Sequence, residues 1–95
     1  MFVLQIEHEV FDFALWKKAF DSDPKGRKKM GVNQYEIFCL ADNSNYVIIN
    51  LWFDDFEQAE DSILLLRSLW DGEGSKLMKD PHIRILDMMD WKFLN

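Results

Sequence analysis

Few side chains here stand at spacings that chemistry uses, and the most conspicuous run is Glu7-His8-Glu9. It resembles a metal site until the strand carrying it is considered. Successive strand residues face opposite ways, so His8 points away from both glutamates and the three cannot hold one ion. No metal is expected there. His8 falls on an otherwise apolar face, where it is either a hydrogen-bonded core or rim histidine or a general base or ligand contact. His82 follows Pro81 at a strand start and is expected at the surface.

Tyr46, Asn50 and Trp52 share one parity of a strongly apolar strand. An amide such as Asn50 can orient a carbonyl or a phenol, and an indole offers a flat wall with one donor. The competing reading makes Tyr46 and Trp52 interface packing, with Asn50 bonded across a two-fold axis. With His8, these three form the candidate ligand-binding set: His8, Tyr46, Asn50 and Trp52. No catalytic residue and no cofactor are singled out. Arg27 sits in a polar connection, where it can grip a carboxylate or pair with a nearby aspartate. Asp54, Asp55 and Glu57 belong to a helix start, where negative charge suits the dipole. Asp71-Gly72-Glu73-Gly74 lacks the ligand spacing of a calcium loop. The sequence contains no nucleophile elbow, P-loop, GxGxxG or CxxC, which removes the reactions those motifs serve. Cys39 reads as a small hydrophobe on a buried parity.

The elements that position these residues follow from periodicity. Phe2 to Val10 alternates, with Phe2, Leu4, Ile6, His8 and Val10 on one side and Val3, Gln5, Glu7 and Glu9 on the other. Asp12 stands as an N-cap before Phe13, Trp16, Ala19 and Phe20, a helical stripe that ends near Ser22 because Pro24 disfavours a helical Asp23. Asp23 to Gly31 is a connection with room for one turn over Arg27 to Met30. Val32 to Leu40 and Tyr46 to Phe53 are strands joined by the turn cluster Ala41 to Asn45. Asp54 or Asp55 caps a second helix whose stripe is Phe56, Ala59, Ile63, Leu66 and Trp70. Asp71 to Pro81 is read as loop with one more turn, and His82 to Lys92 as the last strand.

Ninety-five residues make one domain, 1–95, with a single core. Apolar residues are 48% and aromatics 15%, which argues against disorder. A net charge of −6 disfavours nucleic acid and anionic lipid as partners, even though six of eleven basic residues cluster from Lys17 to Lys29. A lone cysteine, no long apolar run and no basic N-terminal leader fit a cytoplasmic protein without a membrane span.

The order βαββαβ gives an α+β, ferredoxin-like fold: a four-stranded antiparallel sheet with two helices on one face. Two helices cover one face only, whereas the central strand is apolar on both. Tyr46, Ile48 and Trp52 with Phe38 and Leu40 would remain uncovered, an area larger than monomers tolerate. A second copy, sheet to sheet, is the simplest cover.

That arrangement resembles the dimeric α+β barrel superfamily, which includes the antibiotic biosynthesis monooxygenase-like proteins. More narrowly, Asp12-Phe13-Ala14-Leu15-Trp16-Lys17, Phe20-Asp21, Asp23-Pro24, Gly26-Arg27 and Gly31-Val32 are similar to a pattern of small bacterial barrel proteins of unassigned activity. Ala14 and Cys39 depart from it, standing where an acidic residue and an arginine are expected. Members of the superfamily include cofactor-free oxygenases, haem-degrading enzymes, isomerases and proteins without demonstrated chemistry. The resemblance implies a homodimer that binds a small apolar or aromatic molecule between its sheets, with cofactor-independent monooxygenase-like activity as one outcome. The alternative is a non-catalytic interaction module whose open face is only a dimer seam. An RNA-binding sheet lacks its stacking aromatics here, and a regulatory domain would need a second domain.

Overall fold

The computed structural model describes residues 1–72 and 76–95. The chain runs β1 (Phe2–Val10), α1 (Phe13–Asp21), α2 (Arg27–Met30), β2 (Val32–Leu40), β3 (Asn43–Phe53), α3 (Phe56–Asp71) and β4 (Met78–Asp87). The strands form one antiparallel sheet in the order β2-β3-β1-β4, the ferredoxin-like topology expected from the sequence. β1 and β3, both rich in branched apolar residues, therefore occupy the centre.

Side-chain chemistry fixes the helix starts. The Asp12 carboxylate accepts the Leu15 amide at 3.2 Å, and the Asp55 carboxylate accepts the Glu57 amide at 3.0 Å. Each satisfies a donor that the first turn leaves without a partner. α2 is a single turn held between Gly26 and Gly31, both at positive φ. At Gly31, φ is +101°, a conformation that side chains with a Cβ rarely adopt, and it turns the chain straight into β2.

The helices cover the face carrying Leu4, Ile6, His8, Val10, Val47, Ile49, Leu51 and Phe53, and α1 and α3 add Trp16 and Ala59 to that core. The register explains the segregation: Leu4 lies opposite Leu51, Ile6 opposite Ile49 and His8 opposite Val47. A strand period of two then sends Val3, Gln5, Glu7 and Glu9 to the other face, beside Trp52, Asn50, Ile48 and Tyr46.

The last strand departs from the sequence reading. It begins at Met78, four residues before His82, and ends at Asp87, not Lys92. The reason lies in the pairing. Met78 and Lys79 continue the ladder against Val10 and Glu9 across a register shift, and Asp80 and Pro81 occupy that irregularity. Pro81 suits such a place on an edge strand, since it has no N–H to lose there. At the other end Asp87 lies opposite Phe2, where β1 begins, so no backbone remains to pair with Trp91 or Lys92. The segment 88–95 is without regular structure, and its Trp91 and Phe93 rings are largely exposed. β3 also starts earlier than expected, because Asn43 pairs with Leu40 across a tight Ala41-Asp42 turn.

Candidate functional site

The four candidate residues do not share one site. His8 is on the helix-covered face, whereas Tyr46, Asn50 and Trp52 are on the open face.

On the open face, four strands contribute to a polar ribbon. Arg84 of β4 donates to Gln5 Oε1, and Gln5 Nε2 donates to Asn50 Oδ1 at 3.0 Å. Asn50 Nδ2 donates to Glu36 Oε1 at 3.2 Å, and Trp52 Nε1 and Gln34 Nε2 donate to Glu36 Oε2 at 2.8 and 2.7 Å. Burial raises the Glu36 carboxyl, but the hydrogen bonds from Trp52, Gln34 and Asn50 outweigh it and hold the group below its ordinary value. Tyr46 lies apart from this ribbon; burial, and then the Glu7 carboxylate, raise its phenol above the ordinary value. The Asn50 amide and the Trp52 N–H are thus both engaged within the protomer. Apolar side chains are also exposed on the edge strands, Phe38 and Leu40 on β2 and Leu86 on β4, with Phe38 51% exposed.

Glu36, the hub of this ribbon, is a residue that sequence reasoning missed. Its signal was there to read: Gln5, Gln34, Glu36 and Asn50 are polar residues of equal parity on three neighbouring strands.

The other face holds a cavity of about 300 Å³ between the helices and the sheet. Its walls are apolar, including Ile6, Trp16, Ile49, Leu51, Leu66 and Met78, and its mouth lies at the α1–α2 connection with Asp23, Lys25 and Arg27. His8 is part of the wall and only 2% exposed. Its Nδ1 lies 3.0 Å from the Glu9 carbonyl oxygen, an atom that only accepts, so Nδ1 carries the proton. Nε2 is then the atom with the free lone pair. It has no hydrogen bond within the protein, yet no side-chain nitrogen or oxygen among the described residues is sealed without a partner. His8 lines this cavity, and Nε2, neither bonded nor sealed, is the ring nitrogen available to it. Burial lowers the imidazole pKa, and the Glu9 carbonyl opposes that shift more weakly, so the ring is neutral at pH 7.

A line of rings joins His8 to the mouth. Trp16 meets His8 edge-on at 5.8 Å between centroids, Phe20 stacks on Trp16 at 5.3 Å, and Tyr35 meets Phe20 edge-on at 5.0 Å. The Arg27 guanidinium lies 3.9 Å over Phe20, donates to the Phe20 carbonyl at 2.7 Å and pairs with Asp23 at 3.5 Å. Of its two readings, the pairing with an aspartate is the one adopted. Among the described residues no group of three or more His, Cys, Asp or Glu side chains gathers where an ion could sit. Glu73 and Gly74, part of the acidic loop considered above, lie outside the described residues.

No family model matches the chain, and no curated protein matches it in sequence. Solved structures do. A candidate antibiotic biosynthesis monooxygenase from Nitrosomonas europaea superposes with a TM-score of 0.73 at 15% identity, over 95% of this chain and 100% of that one. SnoaB, a cofactor-independent oxygenase from Streptomyces nogalater, gives 0.73 at 11% identity over 95% and 94%. The fold is the one these proteins share. A dimeric ferredoxin-like protein from an uncultured marine organism gives 0.72 at 9% identity over 99% and 92%. At such identities the likeness is one of architecture, and it carries no residue roles. No helix among the described residues is long and apolar enough to cross a membrane.

Proposed function

We propose that the protein is a homodimer that binds a small apolar or aromatic molecule, and that the binding site is the helix-side cavity of each protomer. The observation that carries this reading is the cavity itself. At about 300 Å³ it reaches the size of small-molecule sites, its walls are mainly apolar, and the buried His8 is part of them. This moves the ligand from between the two sheets, where the sequence put it, to the opposite side of the sheet. Tyr46, Asn50 and Trp52 then belong to the seam between protomers, where their aromatic surface is covered by the second copy. A dimeric ferredoxin-like neighbour and a cofactor-independent oxygenase of the same fold support the dimer and a monooxygenase-like activity for the bound molecule. The unpaired Cys39 fits a reducing, cytoplasmic setting.

Calorimetric titration with 2-naphthol tests the reading. Ala19 lines the cavity, so Ala19→Phe fills it and is expected to abolish binding, whereas Trp52→Phe leaves the affinity unchanged. Loss of binding in Trp52→Phe with retention in Ala19→Phe would return the site to the open face.

A further inference from the structure

We infer that His8 is a general base, and that the cavity catalyses removal of a proton from an apolar carbon acid; this rests on the cavity being the ligand site.

Four observations converge on this assignment. The Glu9 carbonyl fixes the tautomer, so the lone pair is on Nε2 and nowhere else on the ring. Nε2 has no protein partner and is the ring nitrogen available to the cavity. Trp16 packs edge-on against the imidazole, which limits its rotation and holds that lone pair in a constant direction. The walls around it are mainly apolar, so little water competes for the base, and the other side-chain acceptors on the lining, Ser22 and Asp23, belong to the α1–α2 connection. The Asn50 amide and the Glu36 carboxylate, by contrast, are occupied by each other and by their neighbours.

The step balances without any co-reactant. The substrate C–H bond breaks, its proton forms a bond to Nε2, and the electron pair stays on the substrate. The imidazolium so formed keeps its Nδ1–H bond to the Glu9 carbonyl, which stabilises the new charge. The charged groups that share the cavity wall are Asp23, Lys25 and Arg27, all at the mouth. The side chains lining it from α3 and β4, Leu66, Leu69, Trp70 and Met78, are apolar. The pH dependence of the step therefore belongs to His8.

The probe is 5-nitrobenzisoxazole, a flat apolar carbon acid. Loss of its ring C–H proton to a base forms a nitrile and breaks the N–O bond, and the electron pair leaves on a coloured phenolate. The protein is expected to accelerate this about 10²-fold or more over an equal concentration of free imidazole. The rate rises with pH to a plateau whose midpoint lies below the ordinary histidine value, because burial holds the His8 pKa down. His8→Gln, which keeps a polar side chain of similar reach, returns the rate to background, and His82→Gln, on the other histidine, leaves it unchanged. Ala19→Phe, which removes the space and keeps the base, also abolishes turnover, so the result does not hang on the folding of one variant. Binding of the probe without turnover, or turnover that survives His8→Gln, overturns the assignment alone. Failure of the probe and of 2-naphthol to bind removes the cavity reading with it.

Discussion

His8 illustrates how much one hydrogen bond decides. An imidazole on an apolar face reads from sequence as either a satisfied core residue or a base, and alternation cannot separate the two. The separation comes from the Glu9 carbonyl and from the cavity that His8 lines, neither of which the sequence carries. The same burial has a thermodynamic consequence. A histidine whose folded pKa is lowered binds its proton more readily when unfolded, so stability rises with pH through the window below 6.5 and falls as pH drops through it. Denaturant midpoints measured from pH 7 to pH 5 should therefore decline, and His8→Gln should lessen the decline while His82→Gln does not.

Glu36 makes a second point at the residue scale. Its carboxylate accepts from Trp52, Gln34 and Asn50, and a neutral amide cannot accept all three. Glu36→Gln should cost about 1 kcal/mol, since the groups are part-exposed, and should shift the Trp52 emission. An unchanged spectrum and midpoint would show that the ribbon is not formed in solution. The polar parity of the four ribbon residues was legible. Its connection across three strands needed the register.

At the scale of elements, most boundaries followed from caps and punctuation. Asp12 and Asp55 mark helix starts through bonds they do make, and Gly26 and Gly31 bracket α2 as the turn signals suggested. β4 begins before the point that Pro81 suggests. A proline at an edge-strand irregularity costs the ladder nothing, and only the pairing of Met78 with Val10 reveals that the strand has already begun. Apolar alternation continued past Asp87, but alternation is a signal for strands that have a partner, and β1 ends the ladder at Phe2. Gly31 is the sharpest test of the joint between α2 and β2. An added Cβ would sit 2.6 Å from the Gln58 Oε1, which can swing away, but the backbone at φ +101° cannot. Gly31→Ala is expected to lower stability by about 1 kcal/mol by chemical denaturation, with Gln58→Ala restoring none of it.

For the whole molecule, the two faces of one sheet do different work. The helix-covered face encloses the core and the cavity, and the open face carries a polar ribbon set among exposed apolar side chains. The surplus of apolar parity on β3 is legible in the sequence, and so is the need for cover. Where a cavity forms is not, because a cavity is a property of how helices pack and leaves no period in the sequence. Sedimentation at micromolar concentration should give a particle of twice 11.4 kDa, and Phe38→Glu on the open face should halve it without closing the cavity.

The two faces are separated most directly by nitrogen NMR of the side chains during titration with 2-naphthol. The account predicts an Nδ1–H tautomer for His8 and a ligand-dependent shift of Nε2, with the Asn50 amide and Trp52 indole signals unmoved. Movement of Asn50 and Trp52 beside an unmoved His8 would contradict it.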